Sequence, residues 1–272
     1  MPTDLGVPTE GSFGYDPTFA ENIPVVEPDV ADGLPSAAGV NPRYLPPVGS
    51  QGQLGDCTAW ASTYGLATFT AARAGDYSPD TRDRVASPAY IYVKVMEQEG
   101  NSTCVGSPFT PYFNILDAGG TPTLAQAPAA GPCATVWAEY GGGKTLPPDG
   151  AFNVGKVASF QPANLLGIKS ILSRGGVLVL ATELYTDFPA YRGTPVPYVG
   201  NGVYMHGEGP VNRHAAHCMM IVAYDDGIGA FKIQNSWGTG WGENGFVWMA
   251  YDTFAALAVT VMYVVPEAAP GN

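Results

Sequence analysis

Four side chains suited to covalent catalysis are spread along this chain of 272 residues. Cys57 stands in the stretch QGQLGDCTAWA, six residues after Gln51 and at the start of a predicted helix. The N–H groups and the dipole at a helix start favour the thiolate form of a cysteine. His217 opens the apolar stretch HCMMIVAYDD, and Asn235 ends the next predicted strand, GAFKIQN. A thiolate, an imidazole and an amide that orients the imidazole form a general arrangement for nucleophilic catalysis.

The elements that must position these side chains come as helices first and strands second. The predicted helices cover residues 57–73, 87–100, 111–120 and 164–176, and the predicted strands cover residues 177–184, 218–226, 229–235, 245–251 and 257–265. Asp56 is predicted to cap the first helix. This order favours an α+β fold, with a helical half over residues 43–145 that carries the cysteine and a β-rich half over residues 146–272 that carries His217 and Asn235.

Residues 1–42 differ in composition from the rest of the chain. They contain seven acidic residues, no basic residue and frequent prolines. Such a segment buries little surface by itself and is expected to be extended or poorly ordered. Two interpretations stay open at this point, a linker and a short inhibitory pro-segment that lies along a cleft.

The charge and the hydropathy pattern exclude several classes of partner. With 24 acidic and 12 basic side chains the net charge is −12, and no basic cluster offsets it, so nucleic acid is not an expected partner. The longest apolar run, near residues 254–265, is too short to span a bilayer and indicates a buried strand. No signal peptide is expected near Met1, and we expect a soluble monomer in a compartment that the sequence does not fix.

A specific resemblance supports the catalytic interpretation. The stretch HAAHCMMIVAYDDG, followed by FKIQNSWGTGWGENGFVWM, resembles the histidine and asparagine strands of the papain family of cysteine peptidases, and QGQLGDCTAWA resembles its nucleophile helix. The resemblance implies a papain-like fold, with a helical half, a β-barrel-like half and the active-site cleft between them. It makes Cys57 the nucleophile, His217 the base and Asn235 the orienting residue. Gln51 becomes an oxyanion donor beside the cysteine N–H, and Trp237 shields the His–Asn hydrogen bond.

The chain also departs from the family pattern. Leu54 stands where the family has a cysteine, and Thr58 and Ala216 also differ from the usual residues, so we expect a divergent branch that resembles the bacterial members. The resemblance suggests a disulfide between Cys104 and Cys133, with two free thiols as the alternative. Such a bond, or a removed leader, would make secretion a possibility.

Four further residues are predicted to line the substrate cleft, and small, apolar ones among them suggest a subsite for an apolar side chain. These residues are Gly106, Ser107, Ala215 and Cys218.

The resemblance implies a cysteine peptidase that acts on a peptide or protein substrate and needs no cofactor. A metal site at His214, His217 and Cys218 is disfavoured, because neighbouring residues of a strand point to opposite faces. The glycine loop AEYGGGKT at residues 138–145 lacks the strand and helix of a phosphate-binding loop. Two alternatives share the same site: a catalytically silent peptide-binding protein, and a peptide ligase or transpeptidase.

Overall fold

The fold is described from a computed structural model, which covers residue 15 and residues 21–30, 32–128, 130–146, 152–206 and 214–266. Most of its helices precede the main strands in the chain, as predicted. The helices are α1 (Cys57–Ala59), α2 (Thr68–Ala74), α3 (Pro88–Gln98), α4 (Thr110–Ala118), α5 (Cys133–Tyr140), α6 (Leu165–Ser173) and α7 (Tyr251–Leu257). The strands are β1 (Ala37–Gly39), β2 (Val157–Phe160), β3 (Leu178–Glu183), β4 (Ala216–Asp225), β5 (Ala230–Gln234), β6 (Phe246–Ala250) and β7 (Ala258–Val264).

Helix α1 is the first part of one long buried helix that packs against the sheet. Helix α1 continues through a π-helical segment, Trp60–Ala67, directly into α2. Nearly every residue of this π-helical segment is buried, which agrees with the apolar and small residues on all its sides. A Cβ atom added at Gly65 would lie 3.2 Å from the sulfur of Met220 in β4, so this glycine permits close packing of helix and sheet.

The strands form an antiparallel sheet in the order β2-β7-β3-β4-β5-β6, and β1 also pairs with β4. Within the part of the chain that the structure describes, no pairing joins β6 to β2. The described sheet is therefore not a closed barrel, and its combination of helices with antiparallel strands agrees with the predicted α+β class. The edge of β2 pairs with the N-terminal segment instead, because Val26 N–H donates to Ser159 O at 2.9 Å and Ser159 N–H donates to Pro24 O at 2.9 Å.

The two faces of the sheet belong to two apolar clusters. Cys218 and Met220 of β4 belong to the first cluster, which includes the buried side chains of helices α1 to α5. Met219 and Ile221, which alternate with them along β4, belong to the second cluster, which contains Trp241. This alternation is what the period of a strand requires. Because α1 packs on one face of β4 and the loop after β5 lies on the other side, residues from three elements meet at the start of β4.

The disulfide suggested by the resemblance is present. Cys104 and Cys133 are joined with an S–S distance of 2.04 Å and close a loop with a sequence separation of 29 residues. The bond ties the segment before α4 to the start of α5.

Removing this bond should lower the stability of the protein. We expect the double variant Cys104→Ala with Cys133→Ala to lose roughly 3 kcal/mol of unfolding free energy, because a loop of this length gains chain entropy in the unfolded state. Urea denaturation of the oxidised protein and of the double variant measures the difference. Dithiothreitol should lower the midpoint of the parent protein and leave that of the variant unchanged; equal midpoints for parent and variant would contradict the expectation.

Candidate active site

The three predicted catalytic side chains come together at the start of β4. Cys57 is the first residue of α1, His217 is the second residue of β4, and Asn235 follows the last residue of β5. The Nε2 atom of His217 lies 2.7 Å from Asn235 Oδ1, which also accepts a hydrogen bond of 2.7 Å from the N–H of Ser236. An amide oxygen only accepts hydrogen bonds, so Nε2 carries a proton, and in the neutral ring Nδ1 is the nitrogen able to accept one.

The environment of Cys57 favours its ionised form. The thiol is completely buried, which by itself raises its pKa. A hydrogen bond from the Cys218 side chain, together with the charge and hydrogen bond of His217, outweighs burial and holds the pKa of Cys57 well below its ordinary value. The N–H of Cys218 also donates to Cys57 Sγ at 3.3 Å. The site therefore stabilises a thiolate beside an imidazole.

Gln51 is linked to this group by Ser236, a residue that the sequence analysis did not single out. Ser236 Oγ donates to Gln51 Oε1 at 2.7 Å, and Gln51 Nε2 donates to Leu54 O at 2.8 Å. The backbone N–H of Gln51 donates to Ser236 O at 2.8 Å. These contacts fix the amide of Gln51 with its oxygen toward Ser236, which leaves the second N–H of Nε2 to serve as a donor. Ser236 was missed although it directly follows Asn235, since only its contact to Gln51 reveals the link.

Trp237 lies against the histidine, where the resemblance puts it. Its ring is stacked on His217 with 4.6 Å between the ring centroids and an angle of 29° between the planes. The rings of Phe188 and Trp241 pack against the same indole, with centroid-to-centroid distances of 5.8 Å and 5.4 Å. These rings enclose the histidine side of the site in apolar surface.

Asp56 does not act as the side-chain cap predicted for the first helix. It holds the N-cap position but makes no side-chain cap hydrogen bond. Its Oδ2 atom instead accepts a hydrogen bond of 3.1 Å from the indole N–H of Trp60. Burial, and then the charge of Cys57, raise the pKa of Asp56 well above its usual range.

The residues predicted to line the substrate cleft fall in different surroundings. Ser107 is buried, with its carbonyl accepting a hydrogen bond of 2.8 Å from Thr58 Oγ1, and Gly106 is half-buried. Cys218 packs in the cluster that contains Cys57, whereas Ala215 packs in the cluster on the other face of the sheet. Their roles in substrate binding stay a prediction.

Other features of the described residues lie apart from this site. A surface cavity of about 730 Å³ is lined by Tyr90, Glu139 and Lys144, away from Cys57. The described parts of the chain hold no cluster of three or more metal-binding side chains. The Nδ1 atom of His214 lies 3.0 Å from Glu183 Oε2, and the His214 ring stacks on the ring of Tyr204. No helix within the described ranges has the length and apolar character to cross a membrane.

Sequence comparison finds relatives among the cysteine proteases. A relative named "Cathepsin B-like CP3", from Giardia intestinalis, is 30% identical over 219 residues, which cover 75% of this chain and 64% of that protein. "Papain" from Carica papaya is 31% identical over 107 residues, which cover 39% of this chain and 27% of papain. The chain spans less than two thirds of the length of the Giardia relative and of its paralogue CP1, for which the share is 63%.

Structure comparison finds the same fold in two proteases. Xylellain, a cysteine protease from the bacterium Xylella fastidiosa, matches with a TM-score of 0.74 at 21% identity over 98% of this chain and 100% of that chain. Digestive procathepsin L 3 of Tenebrio molitor matches with a TM-score of 0.64 at 15% identity over 96% of this chain and 77% of that chain. Identities this low establish a common fold, which confirms the predicted papain-like α+β class.

The profile described as "Papain family cysteine protease" matches residues 95–266. This range includes His217, Asn235 and Trp237, whereas Gln51 and Cys57 precede it. The match covers more than half of the chain, and the predicted family is thereby confirmed: the chain belongs to the papain family of cysteine proteases.

Proposed function

We propose that the protein is a cysteine peptidase that hydrolyses peptide bonds through Cys57, His217 and Asn235. The observation that carries the proposal is the contact of a buried, low-pKa thiol at a helix start with a histidine whose Nε2 lies 2.7 Å from an asparagine oxygen. A merely structural cysteine in an apolar core has no such partner and keeps a high pKa.

In the first half of the proposed reaction the Cys57 thiolate attacks the peptide carbonyl carbon. The carbonyl oxygen becomes an oxyanion, which the N–H of Cys57 and the Nε2 group of Gln51 stabilise. His217 then gives its Nδ1 proton to the leaving amine, and an acyl group stays on the sulfur.

In the second half the neutral imidazole of His217 takes a proton from a water molecule. The resulting hydroxide attacks the acyl carbon, the S–C bond breaks, and the carboxylic acid leaves. Asn235 keeps the imidazole plane fixed through both halves, since its oxygen holds the Nε2 proton. Trp237, stacked on the ring, keeps water away from that hydrogen bond.

Gln51→Ala should lower kcat by about a hundredfold, because one donor to the oxyanion is lost. The variant Ser236→Ala keeps the amide but removes the hydroxyl that orients it, so a smaller loss is expected. Initial rates on a fluorogenic peptide measure both effects, with KM determined separately. A Gln51→Ala enzyme with kcat close to that of the parent would remove the glutamine from this role.

Cleavage of a peptide library, read by mass spectrometry with and without a thiol blocker, tests the function itself. A peptidase produces new termini that the blocker abolishes. A silent binding protein produces none, and a ligase or transpeptidase gives joined products when an acceptor amine is added.

The apolar subsite predicted at Ala215 and Cys218 requires apolar side chains near the cut; a profile dominated by charged residues there would contradict that subsite.

We further propose that part of the N-terminal segment restricts access to the site, as the pro-segment interpretation of residues 1–42 requires. The carboxylate of Glu21 accepts hydrogen bonds from Phe109 N at 2.7 Å and from Thr110 N at 2.9 Å, at the start of α4. A few residues further on, Val26 pairs with β2. These contacts fix the segment on both the helical half and the sheet, and the charge of Glu21 contributes to the raised pKa of Cys218, the neighbour of Cys57.

Replacing Glu21 by alanine should loosen this segment and raise kcat/KM by about tenfold, since charge-assisted hydrogen bonds of this kind contribute roughly 1.5–3 kcal/mol. Glu97→Ala is the matched control. Glu97 also accepts from a backbone N–H, that of Gly143 at 2.8 Å, but in another loop. Equal rates for the parent and the Glu21→Ala enzyme would contradict a restricting role.

A further inference from the structure

A second sulfur touches the proposed nucleophile and has no part in the reaction above. Cys57 and Cys218 are both free thiols, with relative exposures of 0% and 1%. The N–H of Cys218 lies 3.3 Å from Cys57 Sγ, and a hydrogen bond joins the two sulfurs. The two thiols are therefore direct neighbours at the contact of α1 with β4, as a disulfide between them requires.

The contact between the two sulfurs uses the only proton of the second one. Thr58 Oγ1 donates its single proton to Ser107 O at 2.8 Å and lies 3.7 Å from Cys218 Sγ. The hydrogen bond from Cys218 to Cys57 lowers the pKa of Cys57, so the Cys218 thiol is the donor between the two sulfurs and Cys57 Sγ is the acceptor. Cys218 thus faces the Cys57 sulfur as a thiol.

We propose that Cys57 and Cys218 form a reversible redox pair, in which hydrogen peroxide oxidises Cys57 and Cys218 then closes a disulfide that blocks the nucleophile and shields it from further oxidation. The loss of activity rests on the proposed role of Cys57, whereas formation of the disulfide does not.

The two steps balance in atoms and electrons. First, the Cys57 thiolate attacks one peroxide oxygen: an S–O bond forms, the O–O bond breaks, and the released hydroxide becomes water with a proton from His217. The product is a sulfenic acid at Cys57. Second, the sulfur of Cys218 attacks the sulfenic sulfur: the S–S bond forms, the S–O bond breaks, and the hydroxide leaves as water with the Cys218 proton. Two thiols supply the two electrons that reduce one peroxide.

The electrostatics of the pair make the second step follow the first. Burial, and then the hydrogen bond and charge of Cys57, raise the pKa of the Cys218 thiol well above its ordinary value. Oxidation of Cys57 to the neutral sulfenic acid removes that charge. Cys218 then ionises more readily, at the moment when its thiolate is needed for attack.

The test compares the full-length protein with Cys218→Ala, and with Cys218→Ser in case the alanine variant folds poorly. Each protein is treated with hydrogen peroxide, quenched with catalase, alkylated and digested without reductant for peptide mass spectrometry. In parallel, activity before and after dithiothreitol is normalised to the same protein before peroxide. Both variants keep the Cys104–Cys133 disulfide, so its reduction affects all samples alike.

We expect a cross-linked Cys57–Cys218 peptide in the parent, two hydrogen atoms lighter than its parts, and nearly full recovery of activity with dithiothreitol. In the variants Cys57 should advance to the sulfinic acid, with recovery lower than in the parent by at least about tenfold. A parent protein that carries sulfinic acid without the cross-link, or variants that recover as well as the parent, would overturn the proposal. If the reduced protein cleaves no peptide, the proposed function fails, and the cross-link still decides the redox pair.

Discussion

Replacing Cys57 by serine should reduce kcat/KM for a peptide substrate by at least about 10⁴-fold, the scale of loss when a nucleophile is removed. A serine hydroxyl has a far higher pKa than a thiol, and the surroundings that favour a thiolate do not ionise it. The change removes little volume at a completely buried position, so the fold should persist. Cleavage of a fluorogenic peptide gives the rate, and thermal melting confirms folding.

Cys57→Ala provides the second variant for the same position. It leaves no nucleophilic atom, so its residual activity defines the background of the assay. A folded Cys57→Ser or Cys57→Ala protein that keeps more than about a tenth of the parental kcat/KM would contradict the role of this sulfur.

The second large effect is expected for His217→Ala, with a loss of at least about 10³-fold in kcat/KM, because the base and the counter-charge of the thiolate disappear together. The pH dependence separates this role from a structural one. In the parent the pKa of Cys57 is lowered, so alkylation by iodoacetamide stays fast well below the pH at which an ordinary thiol reacts. In the variant the charge and hydrogen bond of His217 are lost while burial and the Cys218 contact remain, so the pKa of Cys57 should rise and alkylation should slow at a higher pH than in the parent.

His214→Ala is the matched control, three positions earlier in the chain. Its ring contacts Glu183 and Tyr204 rather than Cys57, so the alkylation profile should keep the parental form. A His217→Ala profile that coincides with that of the parent would show that the imidazole does not stabilise the thiolate.

The sequence supported the main elements because their patterns are strong and local. The helix that begins at Ser87 and Pro88 has a capping side chain and a proline at its first position, and in the structure Ser87 accepts from Tyr90 N–H. Strands β1 and β2 and helices α5 and α7 were not predicted. β1 has the composition of a loop, Ala-Ala-Gly, and becomes a strand only through its pairing with β4.

At helix α7, residues predicted as part of a strand form a helix. The apolar run near residues 254–265 indicated one buried strand, yet α7 ends at Leu257 and β7 begins at Ala258 without a glycine or proline between them. Short apolar runs fit a helix and a strand equally well, and packing against β5 and β6 decides. The boundary predicted at residue 42 stays a prediction, while Ala37–Gly39 pairs with β4.

Residue types and spacing were enough to predict the main residues of the candidate site but not the contacts between them. Cys57, His217, Asn235 and Gln51 stand in short motifs, so one sequence names them. The contacts that complete the site join residues remote in the chain: Ser236 with Gln51, Thr58 with Cys218, and Glu21 with α4. No periodicity or local pattern encodes such pairs. The pairing of Val26 with the edge of β2 has the same origin, since it joins segments remote in the chain.

Covalent labelling with an epoxide inhibitor of thiol peptidases tests the central claim most directly. The intact mass of the protein and its peptidase activity are followed together as inhibitor is added, and the labelled peptide is sequenced. We predict one label per chain, located on Cys57, with activity falling in proportion to labelling and no label on Cys57→Ala. Cleavage that continues at full rate in completely labelled protein, or a label that persists in Cys57→Ala, would contradict the account.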